Sequence, residues 1–233
     1  MHTFKRRKLV IMKKLISFLS VFLFVVPVIF AQTPKGLGKS DPEAKKILDA
    51  VSAKFKTYKT VKANFTLKVE NSTGKEQGSK TGVVQMKGMK YKVAITGQEI
   101  ICDGKTVWTY DKSANEVQIS TLDNSAGNIT PQKLFTNFYD KDFLYVQNED
   151  IKKANKTYQV VELTPIDKTK PFFKVLIEVD KAASSIASTK VFEKNGNRYT
   201  YAVNSMSTNA AMADDIFVFD PKKYPGVEVI DLR

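Results

Sequence analysis

Histidine is almost absent from this chain. The 233 residues contain one, His2, in an N-terminal stretch that reads as removable, so the folded part is expected to have none. Without an imidazole, neither a Ser-His-Asp nor a Cys-His nucleophile can be assembled, and the commonest zinc ligand is missing. Cysteine is equally scarce. Cys102 stands alone, which excludes an internal disulfide, and its place at a strand end favours a small apolar filler over a reactive thiol. No glycine-rich loop of the phosphate-cradling kind occurs, and there is neither an internal repeat nor a low-complexity segment. The nearest acidic pairs, Asp214-Asp215 and Asp140/Asp142, have the chemistry for acid–base work or calcium binding, but read better as solvated turn residues. The sequence therefore predicts no catalytic residue, no metal site and no cofactor, and an enzyme is disfavoured.

What is present begins with a leader. Lys5, Arg6, Arg7, Lys8, Lys13 and Lys14 precede an apolar run from Leu15 to Ala31, which ends on a small residue. A charged start, an apolar middle and a small residue before a cut describe a secretory signal peptide over residues 1–31. A membrane anchor is the rival reading, and the run is at the short edge of what spans a bilayer. No Cys follows the cut, so the protein is not expected to be lipidated itself. Removing the leader leaves 202 residues, one domain by length, and lowers the net charge from +13 to +7. A moderately basic surface can favour anionic membranes or acidic partners. Here the basic residues are scattered, so a solvated lysine-rich surface is the plainer reading and no nucleic-acid partner is expected.

Within residues 32–233 the hydrophobic period changes once. Ser40 or Asp41 can cap a helix with Pro42 in its first turn and Glu43 at the positive end of its dipole. Ala44, Ile47, Leu48, Val51, Phe55 and Tyr58 then recur at helical spacing. From Val61 the period becomes two: Val61, Ala63, Phe65, Leu67 and Val69 alternate with polar residues, as in a half-buried strand. Further strands are expected at Gly82–Lys87, Met89–Thr96, Glu99–Cys102, Lys105–Tyr110, Glu116–Thr121, Tyr158–Thr164, Phe172–Asp180, Ser185–Glu193 and Arg198–Met206. Two more are expected in the tail, Ile216–Phe219 and Val227–Ile230. Asp103-Gly104 is a strong hairpin signal. A second helix, opened by Thr130-Pro131, would present Leu134, Phe135, Phe138 and Tyr139 on one side. Many short strands with two or three helices predict an α+β fold built mainly of antiparallel β. Apolar side chains occur on every element. A curved sheet that its helices cover incompletely leaves an apolar pocket.

Several stretches, in order, resemble one family. Asp103-Gly104-Lys105-Thr106-Val107-Trp108-Thr109-Tyr110-Asp111 looks like the strand–turn–strand signature of the outer-membrane lipoprotein carrier (LolA-like) proteins. Val61 to Val69 after the first helix is similar to the family's opening. Gly127-Asn128-Ile129-Thr130-Pro131 resembles the entry to its lid helix, and Phe217 to Pro221 with Pro225 to Asp231 resembles its ending. The likeness runs from about Ala44 to Asp231.

The resemblance implies an incomplete, half-open β-barrel with helices as a lid over its concave face. It implies a periplasmic carrier of acylated lipoproteins, and a monomer is expected. Such a carrier is loaded by an inner-membrane ABC-type exporter and unloaded to an outer-membrane acceptor. Spacing and resemblance together propose a lipid-binding lining of Val51, Phe55 and Tyr58 from the first helix, Phe65, Tyr91, Val93 and Trp108 from the sheet, and Leu134, Phe135 and Phe138 from the lid. One departure is visible. Many members carry an Arg-Pro pair where this chain has Lys87-Gly88-Met89, and that Arg is tied to the lid when closed. Lysine cannot reproduce its bidentate fork, so closure is expected to differ. The alternatives are an envelope-stress sensor that binds lipid or lipoprotein, usually with a second domain, and a carrier of another amphiphile such as a glycolipid.

Overall fold

The computed structural model describes residues 40–123 and 139–233; the side chain of Asp140 is not described. The leader and the predicted helix carrying Leu134, Phe135 and Phe138 lie outside these residues.

The first element is helix α1 (Pro42–Lys56). Asp41 caps it, its carboxylate accepting from the Glu43 backbone N–H at 3.0 Å, and Pro42 occupies the first turn. Asp41 also holds the helix to the sheet. Its N–H donates to the Tyr145 carbonyl at 2.8 Å, and its carboxylate accepts from the Gln147 N–H at 3.3 Å.

Among the described residues twelve strands follow in one sheet, with a four-residue helix between two of them. They are β1 (Val61–Glu70), β2 (Glu76–Lys87), β3 (Lys90–Ile95), β4 (Gln98–Cys102), β5 (Thr106–Asp111), β6 (Glu116–Thr121), α2 (Tyr139–Asp142), β7 (Phe143–Lys153), β8 (Lys156–Pro165), β9 (Phe172–Asp180), β10 (Ser185–Glu193), β11 (Arg198–Thr208) and β12 (Glu228–Asp231). Their spatial order is β12-β6-β5-β4-β3-β2-β1-β11-β10-β9-β8-β7. Every described pairing is antiparallel except β12 on β6, which is parallel. Among the described residues β7 and β12 remain the two ends of the sheet, which makes it an open half-barrel rather than a closed one.

Two wings meet at β1. Irregular pairing is frequent on the β11–β7 side: between Asn64 and Phe65 against β11, Ile186 and Ser188 against β9, and Asn148 and Ile151 against β8. Each such bulge adds twist and bends its strand, which curves the sheet. On the other side one shift occurs, at Val69/Glu70 against β2, and the hairpins from β2 to β6 are tight. At β4–β5 the Asp103 carboxylate accepts from the N–H groups of Lys105 and Thr106, both at 2.8 Å, while Gly104 takes φ +98, a conformation that favours glycine.

The structure differs from expectation in three places. Ile216–Phe219 is not a strand: Asp215–Phe217 forms a 3-10 turn. The strand at Gly82 begins earlier, at Glu76, where an exposed polar arm is held by backbone pairing with the far half of β1. β7 is not among the expected strands because its apolar residues form one short run, residues 143–146, without alternation, and the residues after it are mostly charged or polar.

Candidate functional site

Directly paired residues share a face of the sheet, so register alone sorts the side chains. From Val61, Ala63 and Phe65 one face passes to Met86, Val84 and Gly82, then to Tyr91, Val93 and Ile95, then to Cys102 and Ile100, and reaches Val107. On the other wing the residues that pack with α1 include Val191, Val175, Ile177, Val161, Leu163 and Tyr145. Helix α1 lies on this inner face. Its Ala44, Ile47, Leu48 and Val51 join the cluster of β7–β10, and its C-terminal end, with Phe55 and Tyr58, joins the cluster of β1–β5. The helix therefore bridges two apolar clusters.

A cleft opens where it does so. Val51, Lys54, Phe55 and Tyr58 form one wall, and Ser184, Ser185, Ile186 and Met206 the other, around roughly 240 Å³ of empty space open to solvent. Phe55 and Tyr58 meet edge to face at 6.1 Å. The Lys54 ammonium donates to the Ala183 carbonyl and so fixes the helix end to the β9–β10 turn at the mouth. Met206, 37% exposed, supplies an unbranched and adaptable side chain. Ile186 and Met206 were missed from the sequence. Each is an ordinary apolar position on its strand, and only the crossing of α1 makes it part of a wall.

Of the expected lining, Val51, Phe55 and Tyr58 sit together in this cleft, while Tyr91 and Val93 lie deeper in the cluster that Phe55 and Tyr58 touch. Phe65 is on the same face. Its ring covers Gly82, so closely that a Cβ there would stand 2.5 Å from Cζ, and its centroid is 6.3 Å from that of Tyr201. Leu134, Phe135 and Phe138 lie outside the described residues.

Trp108 is a correction. It pairs with Ile119 and shares a face with Tyr110, on the opposite side from Val107. There it packs with Ile101, Tyr110, Val117 and Phe219 under the C-terminal segment. Tyr224 stacks on Phe219 at 4.4 Å and meets Tyr110 at 4.6 Å, and its hydroxyl donates to Glu99 at 3.1 Å. Lys92 and Lys112 also reach Glu99, each at 3.1 Å. Burial opposes charge on Glu99, yet these two lysines outweigh it and hold its carboxyl below the ordinary value. Desolvation, with the neighbouring Glu99 charge, pushes the Tyr224 phenol up to about 12. The tail thus covers the outer face with an aromatic stack pinned by a partly buried carboxylate.

Two chemical candidates resolve as structural. Cys102 is 0% exposed on the inner face beside Tyr91, and burial raises its thiol pKa, which suppresses the reactive thiolate. Asp214 accepts from Lys87 and Lys90, both at 3.1 Å, and Lys87 also donates to the Met212 carbonyl at 3.1 Å. Lys87 therefore fastens the segment after β11 to the β2–β3 turn. At the other end of the site, Tyr139 donates to Asp49 of α1 at 2.9 Å. Burial works against the Asp49 carboxylate but is outweighed by Lys45 and Tyr139, so its pKa falls. Among the described residues no three of His, Cys, Asp and Glu gather as a metal site.

Residues 56–220 match the model of the family described as outer membrane lipoprotein carrier protein LolA. An outer-membrane lipoprotein carrier protein of Haemophilus influenzae strain Rd is 30% identical over 188 residues, covering 80% of this chain and 82% of its own. One from Pasteurella multocida is 30% identical over 175 residues, 73% of this chain and 80% of its own. In fold, the chain is similar to the crystal structure of an uncharacterized conserved protein from Thermus thermophilus, with TM-score 0.51 and 11% identity over 81% of this chain and 99% of that one. This chain belongs to the outer membrane lipoprotein carrier protein LolA family.

Proposed function

We propose that this protein is a periplasmic carrier that covers the acyl chains of lipoproteins during passage from the inner to the outer membrane. Residues 1–31 direct its export and are removed. An inner-membrane ABC-type exporter loads it, an outer-membrane acceptor unloads it, and it works as a monomer. The observation that carries this reading is the apolar cleft under the C-terminal end of α1, continuous with the apolar inner face of an open sheet.

Energy explains why such a device is needed. Each acyl CH₂ left in water costs about 0.8 kcal/mol, so a sixteen-carbon chain costs on the order of 12 kcal/mol. Unassisted escape from a membrane is negligible at that cost, whereas a site of full strength would not release its cargo. The room in the cleft for a water-sized sphere is only about 10 Å³, far below the roughly 300–1,000 Å³ of a site that encloses a small molecule. Cargo therefore enters by parting α1 from the sheet, and the lining packs on itself when empty. Val51, Phe55, Tyr58, Phe65, Tyr91 and Val93 form the proposed lining, with Leu134, Phe135 and Phe138 completing it. Trp108 is withdrawn from that set.

The test is release of cargo from inner-membrane vesicles that carry an energised exporter and a lipoprotein. With the protein added, the lipoprotein is expected in the soluble fraction as a one-to-one complex. A cargo whose acylated cysteine is replaced by serine should form no complex. Equal complex formation with both cargoes would overturn the proposal.

A further inference from the structure

The outer face of the β7–β11 wing has two unlike ends. Around the β7–β8 and β9–β10 turns the cations are matched by acids: Lys153 to Glu178, Lys156 to Asp180 and Lys181 to Asp150, each at 2.9 Å. The opposite end, formed by the β8–β9 loop and the β10–β11 turn, is held together by Lys194. Its N–H donates to the Pro171 carbonyl at 2.8 Å and its ammonium to the Lys168 carbonyl. Here most of the cations turn to neutral groups, with Asp167 the acid near Lys170 and Lys194. Lys168 donates to the Pro165 carbonyl and Arg198 to the Ser72 carbonyl, and Lys174 sits over the Phe192 ring at 4.6 Å. Lys190 and Arg198 lie over the same ring at 5.6 and 5.5 Å. Among the described residues, Lys190 is the one of these three in a close ion pair, with Glu70 at 2.6 Å. Phe173, 49% exposed, packs against Phe192 at 6.2 Å.

Like charges brought together with few acids repel, and the arrangement leaves a positive field around an exposed aromatic ring. That combination suits the interface of an anionic bilayer. Cations meet lipid phosphates, and the ring enters the headgroup layer, where an aromatic is at home. The charge selects an anionic partner, and an exposed phenylalanine ringed by cations fits the boundary of headgroups and acyl chains in a bilayer. We propose that the Phe173–Lys174–Arg198 end of the sheet is a docking surface for anionic phospholipid bilayers, separate from the cleft at α1.

Flotation with vesicles free of lipoprotein tests this without reference to cargo. A chain begun at Gln32 keeps every described element and removes the apolar leader. It should float with phosphatidylglycerol–phosphatidylcholine vesicles, stay behind with phosphatidylcholine alone, and be released by salt. Lys174→Gln should lower partitioning roughly five-fold, Lys174→Arg should keep it, and Phe173→Ser should lower it. Lys153→Gln, at the matched end, should change nothing. The proposal is overturned by equal flotation on both vesicle types, by no flotation, or by Lys174→Gln behaving as the parent. It is overturned equally if polyglutamate displaces the vesicles while Phe173→Ser has no effect, which would mark a site for an acidic protein. The Lys174 pair keeps the test decisive even if Phe173→Ser fails to fold.

Discussion

Two residues show how close tolerances and charge shape this molecule. Gly82 is required for contact, since a Cβ would lie 2.5 Å from Phe65 Cζ and 2.8 Å from the Ala94 carbonyl oxygen. The backbone oxygen cannot yield cheaply, so Gly82→Ala should cost roughly 1–3 kcal/mol in denaturant unfolding and displace the Phe65 ring. An unchanged midpoint would show that the ring and β3 relax freely. Glu99 couples stability to pH. Its carboxyl lies below its ordinary value when folded, because Lys92 and Lys112 outweigh desolvation. A depressed acid stabilises the fold above its unfolded pKa, and that contribution fades as pH falls through the carboxylate range. Glu99→Ala should remove roughly 1.5–3 kcal/mol at neutral pH, and the gap between variant and parent should narrow in acid. A gap that is constant with pH would contradict this account of the outer aromatic stack.

At the scale of elements, the charge network assigns jobs that hydrophobic pattern does not reveal. Lys87 and Lys90 share Asp214, and Lys87 adds the Met212 carbonyl, so one turn holds the segment leading from β11 to the tail. Asp214→Asn should speed amide exchange in residues 209–217 while leaving the β1–β2 and β3–β4 pairs protected, as read by hydrogen exchange. Unaltered exchange there would mean that Phe217, fully buried, holds the segment unaided. How well each element could be read in advance follows from its physics. α1 was legible because cap, proline and apolar spacing agree, and most of the hairpins because strong turn residues separate alternating runs. The exposed arm Glu76–Thr81 has no apolar face to read. β7 has a short apolar run, residues 143–146, in place of an alternating pattern, and Ile216–Phe219 is apolar enough for a strand but turns to bury Phe217. Trp108 failed for a more general reason. Ile101, Trp108 and Tyr110 are as apolar as Ile100, Cys102 and Val107, so alternation gives two faces without saying which is inner. That choice is made by Phe219 and Tyr224, about 110 residues further on, which cover one of them.

For the whole molecule, the central feature is an apolar inner face that runs across an unclosed sheet and is bridged by one helix. Its two apolar clusters meet under α1, and the cleft between helix and sheet lies at that junction. The family and the half-barrel could be read from ordered motifs; the walls of the cleft could not, because Ile186 and Met206 come from strands far from α1 in sequence. The outer face carries separate business, with the tail stacked on one wing and a cationic end on the other. The most direct measurement is a titration of the protein with a synthetic triacylated lipopeptide and its deacylated counterpart, repeated on Phe55→Glu with its fold checked by circular dichroism. Saturable one-to-one binding of the acylated peptide alone, lost in folded Phe55→Glu, is the predicted result. Binding that ignores the acyl chains, or survives unchanged in Phe55→Glu, would contradict the carrier account.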